Sequence, residues 1–321
     1  MTRIRLRLDP WPAEYESPFQ IDEFQDDADV NVDTAAEGVE WRAMKPAGEK
    51  QPELICFVDG VRRVEARIIL DDGSGRIIRG LFGSVAVGAV RVEESRASFY
   101  GINVRRYLVS GSGISLETES LVVGSSELIF EPYSVPDTSP QAPLLGLQNL
   151  MRNEEAEIAV RLSDGSAFVL ADGPLTYFTA FNLSTVGIIK RLFKPYLPAA
   201  SFVLVQQLKI GERTPVFAIT DTKYDRFSWY LRIGAPRVMD HEVAGVLRLE
   251  VRSGVGLARA VELADLSAGC LPAFAGDSFR DPRSPQNLLP VGSLEHELRH
   301  RLGDSMSIRR AIEEKLFRMS E

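Results

Sequence analysis

LICFVDG, residues 54–60, is a continuous run of apolar residues that closes on Asp59 and Gly60. An unbroken run of this length, in place of an alternating one, predicts a strand covered on both faces that delivers one carboxylate to an edge. Gly60 lets the backbone turn there, or lets another group come close. The same device recurs at 168–175, FVLADGPL, where an apolar run ends in Asp172 and Gly173. Asp-Gly is common turn chemistry, so either stretch alone has an ordinary structural reading. Two such strands pointing the same way in one sheet would set both aspartates at one edge.

The segments between them favour that arrangement. VRRVEARIIL (61–70) and LFGSVAVGAVRV (81–92), separated by the turn-rich DDGSGR, join 54–59 in an expected antiparallel meander. Further β-like pieces lie within 103–135, and the proline-bearing VPDTSPQAP leads to a helix over about 142–162. Leu144, Leu147, Met151, Ile158 and Leu162 recur at helical spacing and define its apolar face. At about 100° per residue, Glu155 falls roughly 40° from the middle of that face, Glu154 about 60° to the other side, and Glu157 well away. Glu155 is therefore the glutamate expected to look inward, as a ligand or as a residue at the margin of a core helix. A strand, a crossover helix and a second strand in one sheet normally form a right-handed parallel connection.

Downstream, VGIIKRLFKPYL (186–197) is expected to be helical up to Pro195, followed by strands at 201–210 and 214–220. FSWYLRIG (227–234) and AGVLRLEVRSG (244–254) read as an antiparallel pair, and two terminal helices are expected at 293–302 and about 305–319. Upstream, Ile4 to Leu8 alternates like an edge strand and opens an acidic segment over 1–45, leaving 46–321 as the main domain. With 321 residues, 45% of them hydrophobic and 26% charged, the chain is long enough for a sizeable core. No stretch is apolar enough to span a bilayer and the N-terminus lacks a signal-peptide core, so a cytoplasmic protein is expected. Cys56 and Cys270 are too few for a disulfide framework or a zinc cluster. A net charge of −8, with a pI near 5.2, argues against coating nucleic acid through bulk positive charge, though not against a nuclease.

Strand with Asp, two antiparallel strands, helix with Glu, strand with Asp is the element order of an RNase H-like domain. The fold class expected is thus α/β with a mixed sheet, an RNase H-like core carrying additional strands and C-terminal helices. Carboxylates from such elements converge on divalent metal. Mg²⁺ and Mn²⁺ prefer hard oxygen ligands, and two ions about 4 Å apart suit phosphodiester hydrolysis. Without a cation, gathered carboxylates repel one another and raise their own pKa values.

VDG at 58–60, the inward glutamate of MRNEEAEIA, LADGPL at 170–175, VGIIKR at 186–191, WYLRI at 229–233, VLRLEV at 246–251 and PQNLLP…LE at 285–295 together resemble the NurA nucleases. The resemblance spans roughly residues 50–310. It implies an RNase H-like, Mn²⁺- or Mg²⁺-dependent DNA nuclease, a ring-shaped homodimer that trims double-strand breaks with the hexameric translocase HerA. It would make Asp59, Glu155 and Asp172 the metal-binding acids, and Lys190, with Arg191 beside it, a phosphate contact; the alternative for Lys190 is a solvated helix residue. Arg248 and Glu250 match a strand motif of the family, or belong to a surface strand or dimer contact. Where the family carries a C-terminal histidine this chain has Gly292. Glu295 or Asn287 could supply the missing polar group, while His296 and His300 are expected on the solvent face of the helix. His241 lies in a loop with no partner evident from the sequence.

A non-catalytic RNase H-like adaptor of a DNA translocase stands as the alternative, favoured by the missing histidine and the acidic charge. An RNA-directed RNase H-like protein is opposed by the lack of a guide-binding domain. Phosphate-loop, nucleophile-elbow and zinc-protease motifs are absent, so a motor would have to be another chain.

Overall fold

A computed structural model of the chain describes residues 4–9, 30–46, 52–71, 73, 75–163, 165–178, 184–192, 196–220, 224–277, 279 and 281–320. The strands are β1 (Arg5–Leu8), β2 (Asn31–Asp33), β3 (Leu54–Asp71), β4 (Ile78–Glu93), β5 (Arg96–Ser110), β6 (Glu119–Val123), β7 (Ser126–Ser134), β8 (Phe168–Asp172), β9 (Val186–Ile189), β10 (Phe217–Thr220), β11 (Arg226–Arg232) and β12 (Val246–Arg252). The helices are α1 (Ala142–Ser163), α2 (Ala199–Gln207), α3 (Leu257–Cys270), α4 (Leu289–Arg301) and α5 (Ser305–Ser320). Most of the acidic N-terminal segment, 10–29, lies outside the described residues. Its flanks join the sheet: β1 pairs with β3, and β2 with β10.

Among the described residues one sheet of 12 strands runs β2-β10-β11-β12-β9-β8-β3-β4-β5-β7-β6, with β1 beside β3. Its centre is the expected RNase H-like order, β5-β4-β3-β8-β9. There β3, β8 and β9 are parallel and β4 is antiparallel to both of its neighbours. Helix α1 covers one face, packing Leu147, Met151 and Ala159 on Cys56, Val58 and Val169. Helices α3 and α4 cover the other, with Leu263, Leu294 and Leu298 in the cluster that holds Ile55, Phe57 and Leu170. Burial on both faces is why the Leu54–Val58 run is continuous instead of alternating. No helix among the described residues is long and apolar enough to cross a membrane.

Several local expectations are corrected. The pieces 54–59 and 61–70 are one 18-residue strand, so Asp59 sits within β3 and not at its end. Gly60 is no turn. The strand absorbs its irregularity later, at a register shift between Val64 and Ala66. Residues 186–189 form strand β9 and not a helix: a run as short as VGII carries too little periodicity to separate the two, and pairing with β8 and β12 decides it. Conversely 199–207 is helix α2 and not a strand. Pro198 stands at its N-cap, and Val205 packs on Phe217 and Tyr230, so tertiary packing overrides the β-branched composition. Helix α3 was not anticipated, although Ala260, Leu263, Ala264, Ser267 and Ala268 recur at helical spacing and are buried. The antiparallel pair β11–β12 and both terminal helices are as expected, with α4 starting earlier, at Leu289.

Candidate metal centre

The parallel register of β3 and β8 ends at Val58↔Ala171, so Asp59 and Asp172 follow side by side where the two strands stop pairing. Successive side chains alternate between faces. Val58 and Ala171 point into the α1 layer, whereas Phe57 and Leu170 point into the α3–α4 layer. Asp59 and Asp172 share the parity of the latter pair and turn toward α4. There they meet Glu295, and oxygens of Asp59, Asp172 and Glu295 all lie within 4.8 Å of one another. Glu295 comes from a helix buried through Leu294 and Leu298, which brings its own position to the sheet surface.

Glu155 is buried, as expected, and reaches the site from the other layer. It lies over Gly60: a Cβ on Gly60 would stand 2.5 Å from Glu155 Oε1. The missing side chain at 60 is thus what admits the helix carboxylate, a close approach and not a backbone conformation. Arg152, one turn earlier on α1, donates from Nη1 to Glu155 Oε2 at 2.7 Å and to the Asp172 carbonyl at 2.8 Å. Glu154 turns the other way, to Arg105 and Tyr107.

A second chain of hydrogen bonds joins two of the acids through the loop before α4. Lys190 Nζ donates to Asp172 Oδ2 at 2.8 Å and to Asn287 Oδ1 at 2.7 Å. Asn287 Nδ2 donates to Asp281 Oδ2 at 2.7 Å. Arg283 donates to both Asp281 oxygens and grips Glu295 with two bonds of 2.9 Å. Asp281 is not among the three clustered carboxylates; it holds Asn287 and Arg283, which in turn bond Lys190 and Glu295. Partial burial acts to raise the Asp281 pKa, but the bonds from Arg283 and Asn287 outweigh it and hold the carboxyl at about 2.

Asp59 is the group under electrostatic load. Its Oδ1 accepts from the Gly60 N–H at 2.8 Å, while its buried Oδ2 has no hydrogen-bond partner. Burial, reinforced by the charges of Asp172, Glu155 and Glu295, pushes its pKa well above the usual carboxylate range, with Lys190 opposing. A buried carboxylate oxygen without a donor is costly unless a cation completes it. The donor set is all carboxylate oxygen, hard chemistry suited to Mg²⁺ or Mn²⁺ and not to a zinc structural site.

Beside the acids opens a cleft of about 760 Å³, lined by Asp172, Lys190, Arg191, Arg237, His241, Arg283, Asn287 and Glu295. Arg191 and His241, to which the sequence assigned no partner, are exposed and both line it. Gly292 faces Asn287 Nδ2 at 3.3 Å and Asp281 Oδ2 at 3.9 Å, counted from an ideal Cβ, so those two groups occupy the space a side chain there would enter. His296 and His300 are exposed, as expected.

Arg248 and Glu250 are not on a surface strand. Glu250 is fully buried and pairs with Arg248 at 2.9 Å and Arg226 at 3.3 Å, and it accepts from the Leu175 N–H at 3.2 Å. Sheet face alternation pointed the right way, but a second layer, with Tyr196 stacked on Arg248, covers that face. Arg152, Asp281 and Arg283 escaped the sequence reading; only Arg152, three residues before Glu155, left a helical-pair signal.

A mixed sheet of this order, with acids from β3, β8 and α4 gathered where the parallel strands part and Glu155 of α1 over Gly60, has an RNase H-like α/β fold. No protein-family model matches the sequence, nor does any curated protein. Among solved structures, the NurA nuclease from Sulfolobus solfataricus is similar, with a TM-score of 0.51 and 11% identity over 89% of this chain and 90% of that one. The fold is NurA-like across nearly its whole length.

Proposed function

We propose that the chain is a divalent-metal-dependent deoxyribonuclease, with Asp59, Asp172 and Glu295 around the ion and Glu155 completing the acidic set from the α1 side. The observation that carries this reading is Asp59 Oδ2, buried and without a donor, beside two further carboxylates at a cation-bearing cleft. The NurA-like fold supports DNA as substrate. When bound, Mn²⁺ or Mg²⁺ would polarise the phosphodiester and make water a stronger nucleophile. A second ion would draw on Glu155. Lys190 neutralises Asp172 and offers a charge to a phosphate oxygen, and Arg191 and Arg237 on the cleft walls would position the flanking backbone. A homodimer that receives DNA from a HerA-type ATPase belongs to the same proposal.

Digestion of end-labelled linear DNA with Mn²⁺ tests it, using the wild type, Asp59→Asn and a chelator control. Cleavage abolished by both supports the reading; cleavage that survives Asp59→Asn sinks it. One observation favours the adaptor alternative: Glu155, Asp172 and Glu295 each already hold a protein cation, Arg152, Lys190 and Arg283. Partner binding without cleavage, even with a HerA-type ATPase and ATP supplied, would favour that alternative instead.

A further inference from the structure

Arg152 joins the helix carboxylate to the turn that carries Asp172. Its Nη1 donates to Glu155 Oε2 at 2.7 Å and to the Asp172 carbonyl at 2.8 Å, so one guanidinium bridges α1 to the end of β8. Gly173 lies against it. That residue sits at φ +98°, and a Cβ there would stand 2.9 Å from Arg152 Nη2 and 3.2 Å from both Cζ and Nη1. The Gly173 N–H is fixed in turn on the Ile188 carbonyl at 2.9 Å. The side chains of Arg152 and Glu155 are only 15% and 6% exposed, which makes them a desolvated ion pair and not a surface one. Drawing one partner out of such a pair leaves the other charge buried and uncompensated.

Two ions that share a phosphodiester stand about 4 Å apart, and each draws on several oxygen ligands. Among the described residues one such set is gathered, Asp59, Asp172 and Glu295, and Glu155 is not part of it. A second ion would have to draw on Glu155 at a metal–oxygen distance of about 2.0–2.1 Å. There Oε2 already holds a guanidinium nitrogen at 2.7 Å, so the ion would meet a like charge before it met its ligand. The balance of charge points the same way. Five carboxylates, Asp59, Glu155, Asp172, Asp281 and Glu295, are bonded at 2.7–2.9 Å by three cations, Arg152, Lys190 and Arg283, with Asp59 itself bonded by none of them. With every acid ionised the group carries two negative charges, the complement of a single divalent ion. Resting on the nuclease reading, we infer that Arg152 stands in the place of a second ion: the chain takes one divalent ion, between Asp59, Asp172 and Glu295, and the Arg152 guanidinium positions Glu155 and the Asp172 turn.

The ions are counted on the full chain, by calorimetry with Mn²⁺ and by electron paramagnetic resonance of the loaded protein. Both are run on the protein alone and with a phosphorothioate-linked oligonucleotide that resists cleavage, which supplies a phosphate to any second ion. The wild type should bind one Mn²⁺ per chain and show the spectrum of an isolated ion, and Glu155→Gln should keep that count. Arg152→Gln leaves every carboxylate in place and releases Glu155; it should bind two and show the spin coupling of a close Mn²⁺ pair, whereas Arg152→Lys, which keeps a cation, should stay at one. Two coupled ions in the wild type, or loss of the single ion in Glu155→Gln, overturns the inference and leaves the nuclease reading standing. So does an Arg152→Gln protein that melts cooperatively and still binds one. If Arg152→Gln does not fold, the wild-type and Glu155→Gln counts decide. A wild type that binds no Mn²⁺ and cuts no DNA overturns the nuclease reading and this inference with it.

Discussion

At the scale of the residue, Asp59 concentrates the cost of the site. Its pKa is raised in the fold, so the folded state binds its proton more tightly than the unfolded chain does. The metal-free protein therefore loses stability from this group as pH climbs from the unfolded carboxylate value through the folded one. Asp59→Asn removes that penalty. In chelator at pH 7.5 the variant should melt higher than wild type, about 2 °C per kcal/mol relieved in a chain this long, and the gap should close near pH 4. Nuclease activity should fall about 100-fold or more in the same variant. Calorimetry and thermal melts check both halves, and a variant less stable than wild type at pH 7.5 would contradict the electrostatic account. Among the glutamates, Glu295→Gln should weaken Mn²⁺ binding by about tenfold or more and Glu155→Gln by less. Glu295 shares a face with the two aspartates, whereas Glu155 arrives through the gap above Gly60.

At the scale of the element, two contacts hold the acids in register. One is the seat of α1 on β3. Gly60→Ala would place a methyl 2.5 Å from Glu155 Oε1 and 3.0 Å from both Met151 Cγ and Val87 Cγ1, forcing helix from strand. Overpacking of this kind costs about 1–3 kcal/mol, and the variant should melt lower and bind Mn²⁺ more weakly. The other is the 281–287 loop, in which Asp281 ties Arg283 and Glu295 to Asn287 and Lys190. Asp281→Ala leaves every proposed ligand in place, so its expected effect is a loss of about tenfold in Mn²⁺ affinity with little change in melting temperature. Unchanged affinity would reduce the loop to packing.

At the scale of the molecule, the sheet divides the labour. Strands β3 and β8 carry the two aspartates, Lys190 follows β9, the segment between β11 and β12 adds to the lining of the cleft, and α4 supplies Glu295. A cation that binds only the folded form should stabilise the whole chain, by about 2.7 kcal/mol at a hundredfold excess over Kd. Titration with Mn²⁺ should accordingly raise the melting temperature of the wild type and leave Asp59→Asn unmoved. Equal gains in both would place the ion elsewhere.

Much of this was legible in the linear chain. Two apolar runs ending in Asp-Gly, with a helix between them, determined the parallel β3–α1–β8 unit, because burial on both faces leaves an unbroken run and a crossover helix enforces the direction. Helical periodicity singled out Glu155 as the inward glutamate, and short runs without periodicity, 186–189 and 199–207, misled in opposite directions. Only the tertiary structure decided which face the aspartates present. Side-chain parity along β3 and β8 follows from a pairing register that ends at Val58↔Ala171, and register is a property of two strands together, not of either sequence. The same holds for the choice of Glu295, which the resemblance offers only beside Asn287: its contact with Asp59 and Asp172 joins residues far apart in sequence and leaves no local period behind.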